Sequence, residues 1–309
     1  MQGTIQVYAP ATVANVACGF DILGFALESP GDLIAMAKNE VQTLRIFNET
    51  PYQEIPLDPR RNTLGVALQA FLSHLGSNQG FDLTIREKIK PGSGIGSSAA
   101  SSAAAVFGAN HLLGNPCSRQ ELVKFAMQGE QAACGSAHAD NVGPALLGGF
   151  VLIRSYHPLD VISLPHPQGL YCTIIHPQIE LKTEDARRVL RKEISLKDAT
   201  TQWGNVAGLV TGLFTNDFAL IGRSLHDVII EPVRSMLIPG YQQVKQAALN
   251  AGALGCSISG SGPSIFSLSQ YSKTAAAVAQ AMQEAFSRYD IDTETYVSPI
   301  NTQGTKILT

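Results

Sequence analysis

The segment KPGSGIGSS, residues 90–98, sets three glycines and three serines directly ahead of the alanine-rich stretch AASSAAAVFGANHLL. Glycines let a backbone curl close around an anion, and the free N–H groups and dipole of a helix N-terminus favour negative charge there. Phosphate is the expected guest. Two familiar phosphate loops fail against the letters: GxxxxGK followed by Ser or Thr lacks its lysine, and the spacing of Gly92, Gly94 and Gly96 does not fit GxGxxG. Ser97 and Ser98 stand where hydroxyls cap a helix or reach a metal ion on the phosphates. A second glycine loop, Gly260-Ser261-Gly262, lies between strand-like apolar residues at Ile258 and at Ile265-Phe266. One such loop also reads as a flexible turn before a buried alanine helix; two, both with serines, point to nucleotide chemistry.

Other polar residues read blandly from their local sequence. Glu130 is a solvated residue of a helix, Arg187 an exposed helix residue spaced with Arg191, and Arg234 a loop charge. Asn62, in RRNTL, suits a turn. A lone histidine such as His138 is more often structural than functional. Thr183 reads as a helix N-cap, with Glu184 and Asp185 at the positive end of the dipole. The five cysteines, Cys18, Cys117, Cys134, Cys172 and Cys256, form no CxxC pair and read as small buried apolar residues.

The elements that must position these groups follow from pattern. Alternation at residues 4–8 and 81–85 predicts strands, one leading to Pro10 and the other toward Pro91. A helix is expected from Ser97 or Ser98, and another over residues 119–134 with Gly135 to stop it. Further helices are expected near 201–215, 217–230, 240–251 and 273–288, and a last strand near 294–298. Prolines at 158, 165 and 167 suggest a domain boundary near residue 165, giving domains of 1–165 and 166–309. With 309 residues, two domains are the natural expectation. A net charge of −3 with dispersed basic residues argues against nucleic acid as a partner. No secretory signal or bilayer-spanning run is read, so a cytoplasmic protein without membrane attachment is expected.

PGSGIGSSAA resembles the phosphate-binding motif of the GHMP kinases, and residues 255–263 resemble that family's glycine-rich third motif. YAPATVANVACGFDILGFAL, HADNVGPALLGG, EPVRSMLIPG and AGALGCSISGSGPSIF extend the resemblance over nearly the whole chain, toward those members that act on L-homoserine. Lys90 stands where relatives often carry proline, Ile95 where leucine is usual and Gly143 where alanine is common. The resemblance implies an α/β chain of α+β type in the two-domain GHMP kinase fold. Its N-terminal domain is like that of a ribosomal protein, its C-terminal domain is ferredoxin-like, and the active site lies between them.

It further implies ATP along Lys90, Pro91, Gly92, Ser93, Gly94, Ile95, Gly96, Ser97, Ser98, Ala99 and Ala100, with Asn62 at the adenine and Gly260, Ser261 and Gly262 nearby. Mg2+ is implied at Ser98 and Glu130. For an amino-acid substrate, Asp21 takes the role of ammonium partner, Arg187 and Arg234 that of a carboxylate clamp, and Asn15, His138 and Thr183 are placed in the same pocket. Asn141 stands where several relatives supply an aspartate base, so it is expected to orient the acceptor hydroxyl while a γ-phosphate oxygen takes the proton; Glu130, Asn141 and Arg187 are thus the expected catalytic set. The expected reaction converts L-homoserine to O-phospho-L-homoserine in threonine biosynthesis. The alternatives are another GHMP kinase acting on mevalonate or a sugar, and a non-catalytic nucleotide sensor of this fold. Oligomeric state, a homodimer included, is left open.

Overall fold

The computed structural model describes residues 3–135 and 137–308; the side chains of Ala133 and Cys134, and with them the reading of Cys134, lie outside the described residues. Two sheets organise the chain. The first carries β11 (Lys306–Leu308), β1 (Ile5–Ala14), β2 (Leu23–Asn39), β4 (Gly80–Glu87) and β3 (Leu44–Asn48) in that order. β5 (Phe150–Tyr156) pairs with the start of β2, and β6 (Leu159–Leu164) pairs with β5. All pairings are antiparallel except β3 with β4. Against this sheet pack α1 (Thr63–Leu75), α2 (Ser97–Leu112), α3 (Arg119–Cys134) and α4 (Ala139–Leu147).

α2 shows why the sequence after the glycine loop is so rich in alanine. It touches β1, β2, α1, α3 and α4, and its buried residues run around the whole helix. A helix enclosed on every side has no polar face to spare, and small residues let the neighbouring backbones approach.

The second sheet, β10 (Thr293–Pro299), β7 (Tyr171–Pro177), β9 (Ile265–Ser269) and β8 (Gly255–Ile258), is antiparallel throughout. Side chains alternate across it. Ile175 and Ile265 face a core shared with α9 (Tyr241–Asn250) and α10 (Ser272–Ser287), whereas Ile174, Phe266 and Leu268 join the core of the first sheet. Phe25 of β2 meets Phe266 of β9 edge-on at 6.0 Å. The remaining helices are α5 (Thr183–Arg188), α6 (Leu196–Thr215), α7 (Phe218–Ser224) and the short α8 (Glu231–Arg234).

The domain cut expected at residue 165, kept as a proposal, falls between β6 and β7, and Pro158 lies in the turn of the β5–β6 hairpin. Several other expectations are corrected. The helix expected over 217–230 stops at Ser224, because the Asp227 carboxylate captures the N–H groups of Ile229, Ile230 and Glu231. Thr183 is the first helical residue and Lys182 the cap, and α5 ends before Arg191. α2 is capped by Gly96 without a side-chain bond, so the Ser97 and Ser98 hydroxyls serve elsewhere. Cys18, Cys172 and Cys256 are buried and free, while Cys117 is half-buried.

Candidate active site

Gly92, Gly94 and Gly96 have φ of 74°, 79° and 73°, the left-handed conformation that favours glycine. Close approach adds a second demand, since a Cβ on Gly94 would lie 2.6 Å from the Gly262 carbonyl oxygen, and one on Gly96 2.0 Å from the Thr12 hydroxyl. The loop is held on every side. Thr12 N–H donates to Ile95 O at 3.1 Å, Ser259 to Gly94 O at 2.8 Å and Ser264 to Ser93 O at 2.6 Å. Lys88 Nζ, buried with Asp32, donates to Asp32 Oδ2 (2.9 Å), Ser97 O (2.6 Å), Ser97 Oγ (2.8 Å) and Ser101 Oγ (2.8 Å). Asp32 Oδ1 in turn accepts Ile89 N–H at 2.8 Å. The first turn of α2 is therefore anchored from below by a neutralised charge pair, with its N–H groups left for a ligand.

Ser98 and Glu130, thirty-two positions apart, meet at the start of α2, where Ser98 hydrogen-bonds the Glu130 carboxylate. Burial pushes the Glu130 carboxyl up, with the Ser98 bond and the Lys88 charge opposing. No cluster of three or more His, Cys, Asp or Glu residues suited to a metal occurs among the described residues. One carboxylate and one hydroxyl fit a hard divalent ion that takes its other ligands from phosphates and water.

These groups line one end of a cavity of about 500 Å³. Its other end holds an ion cluster. Asp21 Oδ1 accepts from Arg187 at 3.1 Å, Arg187 lies 2.7 Å from His138 Nε2, and His138 Nδ1 lies 3.5 Å from Asp21 Oδ1. A guanidinium can only donate, so Nε2 carries the lone pair and the ring proton faces Asp21. Burial lowers the His138 pKa, with Asp21 opposing and the two arginines assisting, which agrees with a neutral ring. Arg234 is 3% exposed and donates from Nε to Ala186 O (3.0 Å) and from NH1 to Gly260 O (3.1 Å). Burial first, then Arg187, pushes its pKa down to about 10, so it stays charged at neutral pH. The Phe20 ring faces both guanidiniums, at 5.0 Å from Arg234 and 5.8 Å from Arg187.

Between the two ends stand Asp140 and Asn141. Thr12 Oγ1 donates to Asn141 Oδ1 at 2.7 Å, which commits the amide oxygen and leaves the NH2 group as the donor. Asp140 is 3% exposed, and burial followed by the Asp21 and Glu130 charges pushes its carboxyl up to about 7.

Asn15, Asp21, Asn62, Pro91, Gly92, Gly94, Gly96, Ser97, Ser98, Glu130, His138, Asn141, Thr183, Arg187, Arg234, Gly260 and Ser261 line this one cavity. Ser93, Ile95, Ala99 and Ala100 are buried behind it. Gly262 backs the loop, and Lys90 lies in a neighbouring groove with Gln178. Two lining residues are also structural: Asn62 caps α1 through Leu64 N–H, and Asn15 binds Asp21 N–H (3.0 Å) and Gly260 O (2.7 Å). Sequence reasoning missed Thr12, Phe20, Asp32 and Lys88. The available signal was a charge inside β2 for Asp32 and a charge directly after β4 for Lys88; Thr12 and Phe20 lie within a quoted motif but carry no local mark.

The chain is similar to known proteins over nearly its whole length. The family model described as GHMP kinases N terminal domain matches residues 62–149, and that described as GHMP kinases C terminal matches residues 209–288. The chain is 52% identical over 320 residues to homoserine kinase of Chlorobium phaeovibrioides, covering 99% of each chain. It is 50% identical to that of Chlorobaculum tepidum, covering 99% of this chain and 98% of the other. The crystal structure of homoserine kinase from Cytophaga hutchinsonii superposes with a TM-score of 0.95 at 52% identity, over 100% of this chain and 98% of that one. L. major mevalonate kinase in complex with R-mevalonate, at 17% identity and a TM-score of 0.73 over 97% of each chain, shares the fold.

Proposed function

The chain belongs to the GHMP kinase family, and from that premise we propose that it phosphorylates the side-chain hydroxyl of L-homoserine with ATP, yielding O-phospho-L-homoserine and ADP. The observation that carries this reading is the single cavity with the anchored helix N-terminus and the Ser98–Glu130 pair at one end and the Asp21, Arg187 and Arg234 charges at the other. A zwitterion with a side-chain hydroxyl matches that polarity. A sugar has no charge to offer the far end.

In this reading ATP lies along residues 90–100 with its phosphates at the first turn of α2. Ser98 and Glu130 would hold Mg2+, which when bound neutralises phosphate charge. Asp21 takes the substrate ammonium, and Arg187 with Arg234 takes the carboxylate through guanidinium donors. The Asn141 NH2 donates to the acceptor hydroxyl and fixes its line of attack. The hydroxyl oxygen bonds the γ-phosphorus as the bond from that phosphorus to the β–γ bridging oxygen breaks, and the proton passes to a γ-phosphate oxygen. Phosphoryl transfer of this kind rests mainly on positioning and charge stabilisation, so no side-chain base is required. The reaction belongs to threonine biosynthesis in the cytoplasm.

The test is ADP release measured with L-homoserine, mevalonate, galactose and L-serine at equal concentration. L-homoserine is expected to give the highest kcat/KM; faster turnover of mevalonate or galactose overturns the assignment.

A further inference from the structure

The groups assigned to the two charges of the substrate stand on distant parts of the chain. Asp21 belongs to the loop after β1, and Arg234 to α8. Their separation sets which ligand can reach both. Neither segment fixes that separation by itself, because α8 spans only Glu231–Arg234 and the loop is backbone-strained. Asn15, Val16, Ala17 and Asp21 have φ of 69°, 39°, 58° and 59°. Such conformations are strained and persist only where the surroundings over-determine them, most of all for a β-branched valine.

Beyond the Phe20 contact and the Gly260 carbonyl shared by Asn15 and Arg234, a buried side chain remote from the cavity connects the two segments. Gln202 of α6, 7% exposed, donates from Nε2 to Cys18 O in the loop (3.0 Å) and to Asp227 Oδ1 (2.9 Å), and its Oε1 accepts Val228 N–H (3.1 Å). Asp227, 4% exposed, spends its carboxylate on the entry to α8: Oδ1 accepts Ile229 N–H (2.9 Å) and Ile230 N–H (3.0 Å), and Oδ2 accepts Glu231 N–H (2.9 Å). Neither residue lines the cavity. The path from the loop bearing Asp21 to the helix bearing Arg234 is thus a continuous chain of buried hydrogen bonds, all terminating on backbone or on each other.

We infer that Gln202 and Asp227 form a brace that sets the distance between the Asp21 carboxylate and the Arg234 guanidinium, and so act as positioning residues for recognition of a ligand carrying both charges. This rests on the substrate reading given above. A displacement of about 1 Å can cost on the order of 100-fold where two directed contacts must be met together. A ligand that engages only one end follows the displaced group and loses little.

The experiment compares wild type with Gln202→Met, similar in length but unable to bridge, and with Asp227→Asn. Each is assayed for KM of L-homoserine and of ATP, and for inhibition by 3-aminopropan-1-ol, which lacks the carboxylate, and by 4-hydroxybutanoate, which lacks the ammonium. The brace predicts a rise of ~10- to 100-fold in the KM of L-homoserine, with the ATP KM and both inhibition constants within about twofold of wild type. An unchanged homoserine KM, or a parallel loss for ATP and the one-ended ligands, overturns it, since a general structural defect spares none of them. Wild-type failure to turn over L-homoserine overturns the substrate reading and the brace with it. A normal wild type with unselective variants overturns the brace alone.

Discussion

Arg234 enters the cavity with Nε committed to Ala186 O, NH1 to Gly260 O and one face against Phe20. The guanidinium is therefore oriented before any ligand arrives, and a lysine has neither the fork nor the plane to reproduce this. Arg234→Lys is expected to raise the KM of L-homoserine ~10- to 100-fold, equivalent to about 1.5–3 kcal/mol for a charge-assisted contact, and to leave the ATP KM nearly unchanged. Steady-state kinetics with each substrate varied in turn check it, and equal weakening of both would mean structural damage instead. At the opposite end, Glu130→Gln keeps the shape but removes the charge that the proposed mechanism offers to Mg2+. Turnover at saturating Mg2+ should fall on the order of 100-fold with an unaltered circular dichroism spectrum. Asn141→Ala, which removes a donor without removing a base, should lose ~10- to 1000-fold in kcat while the pH–rate profile keeps its shape.

The loop between β8 and β9 changes meaning once its contacts are seen. Its serines face the carbonyls of the first glycine loop: Ser259 Oγ on Gly94 O and Ser264 Oγ on Ser93 O, with the Gly262 carbonyl packed against Gly94. The second glycine loop is a mould for the first, and it needs glycine partly because two backbones approach with no room for a Cβ between them. Replacing both hydroxyls, Ser259→Ala with Ser264→Ala, removes two hydrogen bonds of about 1 kcal/mol each and should raise the ATP KM ~10- to 30-fold. The KM of L-homoserine should move less than about twofold. A shift in the homoserine KM as large as that for ATP would contradict this division of labour.

Over the whole molecule, the two sheets meet through one continuous core of buried residues. A latch reinforces that contact. His176 of β7 bonds Ser264 Oγ at 3.1 Å, and the Ser264 hydroxyl donates to Ser93 O in the first glycine loop at 2.6 Å. Burial, then the Lys90 charge, pushes the His176 pKa down from 6.5 to about 4, against a weaker opposing pull from Glu294. Because the folded value lies below the unfolded one, the unfolded chain takes up the proton first as pH falls. The contribution of neutral His176 is complete above pH 6.5 and is lost between there and about pH 4. The loss attributable to this residue amounts to no more than ~3 kcal/mol. Urea unfolding of wild type and His176→Asn at several pH values across that window should show a steeper fall for wild type; parallel curves would remove His176 from the balance.

What the chain declares by itself is what depends on near neighbours. Gly92, Gly94 and Gly96 announce a loop of left-handed residues, and the alanines after Ser97 announce an enclosed helix, because backbone preference and helix propensity act within a few positions. Glu130, Asp21, Arg187 and Arg234 were legible only through a shared motif pattern, since each in isolation has an ordinary surface explanation. The tertiary structure alone decided that Asp227 ends the helical run expected through residue 230, that Thr12 fixes the Asn141 amide, and that Lys88 and Asp32 share a buried site beneath α2. It also decided that Gln202 reaches Cys18 across 184 positions of sequence. A buried polar side chain must find a partner or forfeit the free energy of its lost hydration, and which partner it finds depends on how distant segments pack, a matter that local sequence does not encode.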